Sequence, residues 1–233
     1  MSQGIDEGLV AKAIKIVKKG TVMGMDGCPY ELWKMLDERY QKPMSDNQEK
    51  FNVMKTMALV FQDLQTNRAH EKVDFALGWM CPIYKKKDRT EISNYRPVML
   101  MNMDYKLLTK VMALQLLDSL HQLVHRDQTG FIPNRSIFHN IRLTRAIIDH
   151  AEATEKDGAI IALDQEKAYD KIKHDYLWKM LESFGIPQSF IKTAKELHKH
   201  ATTTVAVNGC MSKTFQVTRG VQQVTPYHMH CST

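Results

Sequence analysis

Residues 159–163 (AIIAL) form a continuous apolar run closed by a carboxylate, Asp164, and this run limits what the chain can become more than any other. It is far too short to span a membrane and has the length of a strand buried on both faces. A buried strand that ends in an aspartate places Asp164 at a sheet edge, where its oxygens could meet a hard divalent cation such as Mg²⁺. The plainer alternative is that Asp164 caps the segment that follows. A strand of this kind needs partners, and the chain offers two pairs. Residues 79–84 and 98–101 flank a charged turn over 85–89, and residues 202–220 read as two strands around Asn208-Gly209.

The remainder is helical in pattern. The spacing predicts a helix over 6–19 with Leu9, Ala13, Ile16 and Val17 inward, and another from Pro29 to about residue 40. Asp46 can cap a longer helix whose buried stripe is Phe51, Met54, Met57, Ala58 and Phe61. Further helices are expected over 104–124, with Leu107, Leu108, Val111, Leu114 and Leu117 inward, and over 136–153, 174–184 and 187–200. Helices beside a small sheet predict an α+β fold.

Composition narrows the function classes. At 43% hydrophobic and 25% charged, the chain is neither a disordered tail nor a collagen-like fibre nor a disulfide miniprotein. No apolar run approaches the ~20 residues of a membrane helix, and the first residues lack a secretory pattern, so no membrane is expected and a nuclear or cytoplasmic location is. The net charge of +6 favours a polyanionic partner. The cysteines are scattered without a CxxC pair, which argues against structural zinc. His198-x-His200 and His228-x-His230-Cys231 suit neither a zinc finger nor HExxH, and both read as exposed, incidental histidines.

The order of the segments carries the strongest signal. NYRPV (94–98), DQTGFIPNRS (127–136), ALDQEKAYDKI (162–172), VNG (207–209) and TRGVQQ (218–223) follow one another, with MGMDGCPYELWK (23–34) upstream. In this order they resemble the reverse transcriptases of non-LTR (LINE-type) retrotransposons, whose chains carry NYRPI, QxGF, DFEKAFD and RGVRQGDPLS. The resemblance runs to Gln223. It implies a right-hand polymerase fold with fingers and a partial palm whose antiparallel sheet is incomplete. Residues 1–78 would be a helical N-terminal extension of the fingers, 79–158 the fingers, and 159–223 the start of the palm.

That resemblance implies template-directed nucleotidyl transfer by two Mg²⁺ ions, with an RNA template, a DNA primer and deoxynucleoside triphosphates as partners. Asp164 matches the first metal-binding, catalytic aspartate, and the Gln165 carbonyl would be a second oxygen ligand. Tyr169 matches the aromatic that closes the sugar pocket, where its ring would clash with a ribose 2′-hydroxyl. Arg96 matches an arginine that grips the triphosphate, and Lys85 is its companion lysine, with Lys86 and Lys87 as competitors. A planar guanidinium suits phosphate through its fork, whereas lysine acts as a point charge. Gln128, Gly130 and Phe131 match the segment along the template path, Gly130 supplying backbone freedom. Gln223 matches a glutamine at the nucleotide sugar.

After Gln223 the pattern departs from the family. The family continues Gly-Asp-Pro-Leu-Ser, whereas residues 224–233 read VTPYHMHCST. One added G before the Val224 codon lets the same codons be reread as Gly-Asp-Pro-Leu-Ser, so this stretch reads as a frameshifted tail. The family's remaining catalytic aspartates lie in an (F/Y)ADD motif, and the chain contains no Asp-Asp pair. The expectation is an inactive fragment of an RNA-directed DNA polymerase. The alternative is a non-catalytic nucleic-acid-binding module that keeps the basic fingers.

Overall fold

A computed structural model describes residues 4–42, 50–67, 74–130 and 132–221. Three helices open the chain: α1 (Glu7–Lys15), α2 (Tyr30–Gln41) and α3 (Val53–Asn67). The Asp6 carboxylate accepts from the Leu9 amide at 2.7 Å and starts α1 as an N-cap. This helix stops at Lys15 instead of running to residue 19. The reason is tertiary: the Lys34 ammonium donates to the Val17 carbonyl and the Glu31 carboxylate accepts from the Gly20 amide, occupying backbone groups that another turn would need. The buried face is also rotated from the expected one, with Val10, Ala13, Ile14 and Val17 inside and Ile16 exposed. In α3, Met54, Met57, Ala58 and Phe61 are buried as predicted. Phe51 lies before the helix and is exposed. The Asn52 side chain makes the cap to the Lys55 amide, and Asp46 lies outside the described residues.

Strands β1 (Leu77–Tyr84) and β2 (Tyr95–Met101) form an antiparallel hairpin, with a short 3₁₀ turn over Ile92–Asn94 leading into β2. Helix α4 (Met103–Leu123) follows and supplies the centre of the core through Leu107, Leu108 and Val111, all fully buried. α1, α3 and α4 pack together around these residues, joined by Met99 and Met101 of β2 and by Leu197.

Next come α5 (Ile137–Ala153), α6 (Ala168–Lys171), α7 (His174–Ser183), α8 (Gln188–Lys199), β3 (Thr202–Val207), β4 (Cys210–Met211) and β5 (Phe215–Gln216). The turn between β3 and β4 falls at Asn208-Gly209, both at positive φ, as that dipeptide predicts. The returning strand is split, so that β4 and β5 pair separately with β3. The fold mixes helix and sheet, in line with the α+β expectation.

Two further features differ from the sequence reading. The sheet is mixed rather than antiparallel throughout, because β3 lies parallel to β1 with Leu77 opposite Thr202. Parallel neighbours need a long crossover, and the intervening helices supply one. Residues 159–163 form no strand: Ile160, Ile161 and Leu163 are 66%, 80% and 92% exposed. An apolar run becomes a strand only where a neighbour offers a free edge, and the five described strands pair among themselves.

Candidate functional site

The β1–β2 hairpin ends in a basic turn that the structure holds firmly. The Lys85 amide donates to the Asn94 carbonyl at 3.0 Å, and the Asn94 side chain donates to the Asp88 carbonyl at 2.8 Å. Tyr84 and Tyr95 meet edge to face with ring centres 5.6 Å apart. The Arg89 guanidinium lies 4.7 Å above the Tyr84 ring, a cation–π contact. The Tyr95 hydroxyl closes the cluster by donating to the Arg89 carbonyl. The Asp88 carboxylate accepts from the Thr90 amide and hydroxyl, and these bonds hold it below the usual carboxylate range. Lys85, Lys86, Lys87 and Arg96 are left exposed on this platform.

The second wall is the segment from Asp164 into α6. Lys167, in the left-handed region at φ 50°, precedes the helix and turns the chain sharply. Asp164, Gln165 and Tyr169 are exposed here, while the Glu166 carboxylate is engaged by the Lys171 ammonium and held low by it. Asp164 caps nothing, since the residue at the N-cap of α6 is Lys167. It also ends no strand, because residues 159–163 form none.

The two walls face one another. One open cleft of about 480 Å³ is lined by Lys85, Lys86, Lys87 and Ser93 to Pro97 on the hairpin side, and by Asp164 to Asp170 on the other. The structure thus brings Lys85, Arg96, Asp164, Gln165 and Tyr169 to one place, from segments some seventy residues apart. All three lysines line the cleft, so position alone does not single out Lys85. Ser93, Asn94 and Lys167 also line it and were not singled out from the sequence. Asn94 and Lys167 lie inside the NYRPV and ALDQEKAYDKI segments, which is the signal that could have found them.

Gln128 and Gly130 stand apart from this cleft. They sit in the loop between α4 and α5, where the Gln128 side chain donates to the Gly130 carbonyl at 3.3 Å. The expectation that Gly130 supplies backbone freedom does not hold: its φ is not positive, and an added Cβ would make only ordinary contact. Arg135 organises the loop instead, its guanidinium donating to the carbonyls of Val124, His125 and Gln128. Phe131, Gln223 and the tail over 224–233 lie outside the described residues.

His198 is not the exposed histidine expected. Its Nδ1–H donates to the Ala194 carbonyl, its ring meets His174 and Trp178 edge to face, and burial lowers its pKa. Mg²⁺ prefers hard oxygen ligands, and Asp164 and the Gln165 carbonyl are of that type. No group of three or more His, Cys, Asp or Glu side chains that could hold a metal ion occurs among the described residues. These donors therefore suit a cation only when substrate phosphates and water complete its shell. No helix among the described residues is long and apolar enough to cross a membrane.

Comparison with known proteins places these segments in context. The family profile described as reverse transcriptase (RNA-dependent DNA polymerase) matches residues 84–223, more than half of the chain. The chain is 35% identical over 142 residues to the transposon TX1 uncharacterized 149 kDa protein of Xenopus laevis, covering 61% of this chain and 11% of that protein. It is 24% identical over 133 residues to the Pol polyprotein from the type-2 retrotransposable element R2DM of Drosophila melanogaster, covering 57% of this chain and 12% of that one. Over 167 residues it is 25% identical to the Pol polyprotein from the type-1 retrotransposable element R2 of Popillia japonica, covering 71% and 23%. The chain thus spans from about a tenth to a quarter of the length of these curated relatives.

Proposed function

The chain belongs to the reverse transcriptase (RNA-dependent DNA polymerase) family, in its non-LTR retrotransposon branch, and we propose that it supplies the part of the polymerase that takes up the incoming deoxynucleoside triphosphate. In this reading residues 1–78 extend the fingers, 79–158 are the fingers, and 159–223 begin the palm. The observation that supports it is the single cleft shared by the basic hairpin turn and the Asp164–Asp170 segment. Arg96 grips the triphosphate through its planar fork, and Lys85 to Lys87 add point charges beside it. Asp164 and the Gln165 carbonyl would hold Mg²⁺ together with the nucleotide phosphates. Bound there, the ion would neutralise phosphate charge and favour attack at phosphorus. Tyr169 stands where the sugar would lie and selects against a 2′-hydroxyl. A template RNA and a DNA primer are the macromolecular partners, with Gln128, Gly130 and Phe131 along the template path and Gln223 at the sugar.

Nucleotide binding tests this directly. Titration calorimetry with dATP and with ATP, each with and without Mg²⁺, is expected to show Mg²⁺-dependent binding that favours dATP. Arg96→Ala is expected to weaken both nucleotides about tenfold, as loss of a charge-assisted contact would. Asp164→Asn should abolish the Mg²⁺ dependence, and Tyr169→Val should erase the preference for dATP. Binding that ignores Mg²⁺ and all three substitutions would overturn the reading.

A further inference from the structure

The segment that follows β5 folds back onto the turn that carries Tyr169. The Val221 amide donates to the Tyr169 carbonyl at 2.8 Å, and the Gly220 amide donates to the Ile172 carbonyl at 2.8 Å. Lys173 and Arg219 face each other as an isolated antiparallel bridge. Gly220 is buried at φ +80°, and a Cβ there would lie 3.0 Å from the Tyr169 carbonyl oxygen and from the Asp170 backbone. Only glycine accepts both that conformation and that approach. Residues 219–221 and 169–173 therefore form one tight unit of backbone against backbone.

A side chain from a neighbouring helix also fastens this unit. The Nε2–H of His174, the first residue of α7, donates to the Gly220 carbonyl at 2.9 Å. Behind it, the His174 ring is braced edge-on by His198 of α8, with ring centres 5.0 Å apart, and His198 is braced in turn by Trp178 at 5.2 Å. The bond thus runs from a well-packed pair of helices to the loop.

We propose that His174 is a positioning residue: through Gly220 it clasps residues 219–221 to the α6 turn and so fixes where Tyr169 stands in the cleft. This inference rests on the nucleotide-binding reading for its consequence, the discrimination between deoxyribose and ribose, but the clasp itself is a property of the chain alone. His174→Leu keeps the bulk that α7 and α8 enclose and removes the donor. His174→Gln keeps an N–H at comparable reach.

Amide hydrogen exchange on the full chain without nucleotide reads the clasp. His174→Leu is expected to raise exchange at Gly220 and Val221 about tenfold, with α4 amides unchanged, and His174→Gln to restore most of the protection. Equal protection in His174→Leu and the wild type, or loss of protection in α4 as well, would overturn the proposal. Calorimetry with dATP and ATP in Mg²⁺ reads the consequence. The dATP preference is expected to fall in His174→Leu and to return in His174→Gln. Selective exchange at Gly220 and Val221 in a chain whose wild type binds neither nucleotide would uphold the clasp and refute the nucleotide-binding reading. An unchanged dATP preference in His174→Leu, despite faster exchange, would overturn the assignment of His174 to the Tyr169 position.

Discussion

Lys106 shows how far a single side chain can be held from its ordinary state. It is buried near the start of α4 and donates to the Val22 carbonyl at 2.9 Å, so that it pins the loop before α2 to the core. Burial brings its pKa down from 10.5 to about 8, with Asp26 pulling weakly the other way. The unfolded chain therefore holds this proton more tightly than the folded one, and stability rises with pH between about 8 and 10.5. Urea unfolding of the wild type and Lys106→Met at pH 7.5 and 9.5 checks this. The wild type is expected to gain on the variant as pH rises, whereas a constant difference would refute the assignment. Lys106 was not legible as special in the sequence, since its position on α4 reads as ordinary and only the packed loop desolvates it. Arg96 and Tyr169 were legible, because short motifs name them, but their common cleft was not.

Helix α5 carries a different lesson at the scale of elements. Its boundaries were readable from Ser136, which caps it, and from its apolar spacing. Yet none of its residues is buried: Ile137, Phe138, Ile141, Leu143, Ile147 and Ile148 are all exposed. The neighbouring run over 159–163 is exposed as well, and the C-terminal half of α5 shares a groove with residues 155–160. Contiguous apolar surface of this kind binds hydrophobic dyes and promotes self-association. The double substitution Ile141→Gln and Ile148→Gln is expected to cut dye binding while changing stability by less than about 0.5 kcal/mol, because no packed contact is lost. A clear drop in melting temperature would show instead that this face is packed. Periodicity reports which face of a helix is apolar, but whether anything covers that face is a matter of its neighbours.

For the molecule as a whole, which carries a net charge of +6, the hairpin turn is a local basic patch where Lys85, Lys86, Lys87, Arg89 and Arg96 are exposed together. Single-stranded RNA is expected to bind with strong salt dependence, since each neutralised phosphate contributes a slope of about −0.7 in log affinity against log salt. Replacing Lys85, Lys86 and Lys87 by alanine is expected to reduce that slope by about two if all three meet phosphates. An unchanged slope would place the nucleic acid elsewhere. The same test serves the alternative of a non-catalytic binding module, which predicts the salt dependence without any preference for dATP.

Most of the helices, the β1–β2 hairpin and the Asn208-Gly209 turn were determined by the sequence itself. The bonds of the helices and of the Asn208-Gly209 turn close within a few residues, and the two hairpin strands lie close in sequence, so local spacing, caps and turn residues go far to specify them. The family was equally readable, because its motifs are short and keep their order. The tertiary structure alone decided that β3 runs parallel to β1, that the AIIAL run stays unpaired, and that α1 ends a turn early. It alone joined the hairpin turn to the Asp164–Asp170 segment and fastened the latter through His174. These outcomes depend on which backbone edges and side chains meet across long stretches of chain, and local pattern carries no record of that meeting.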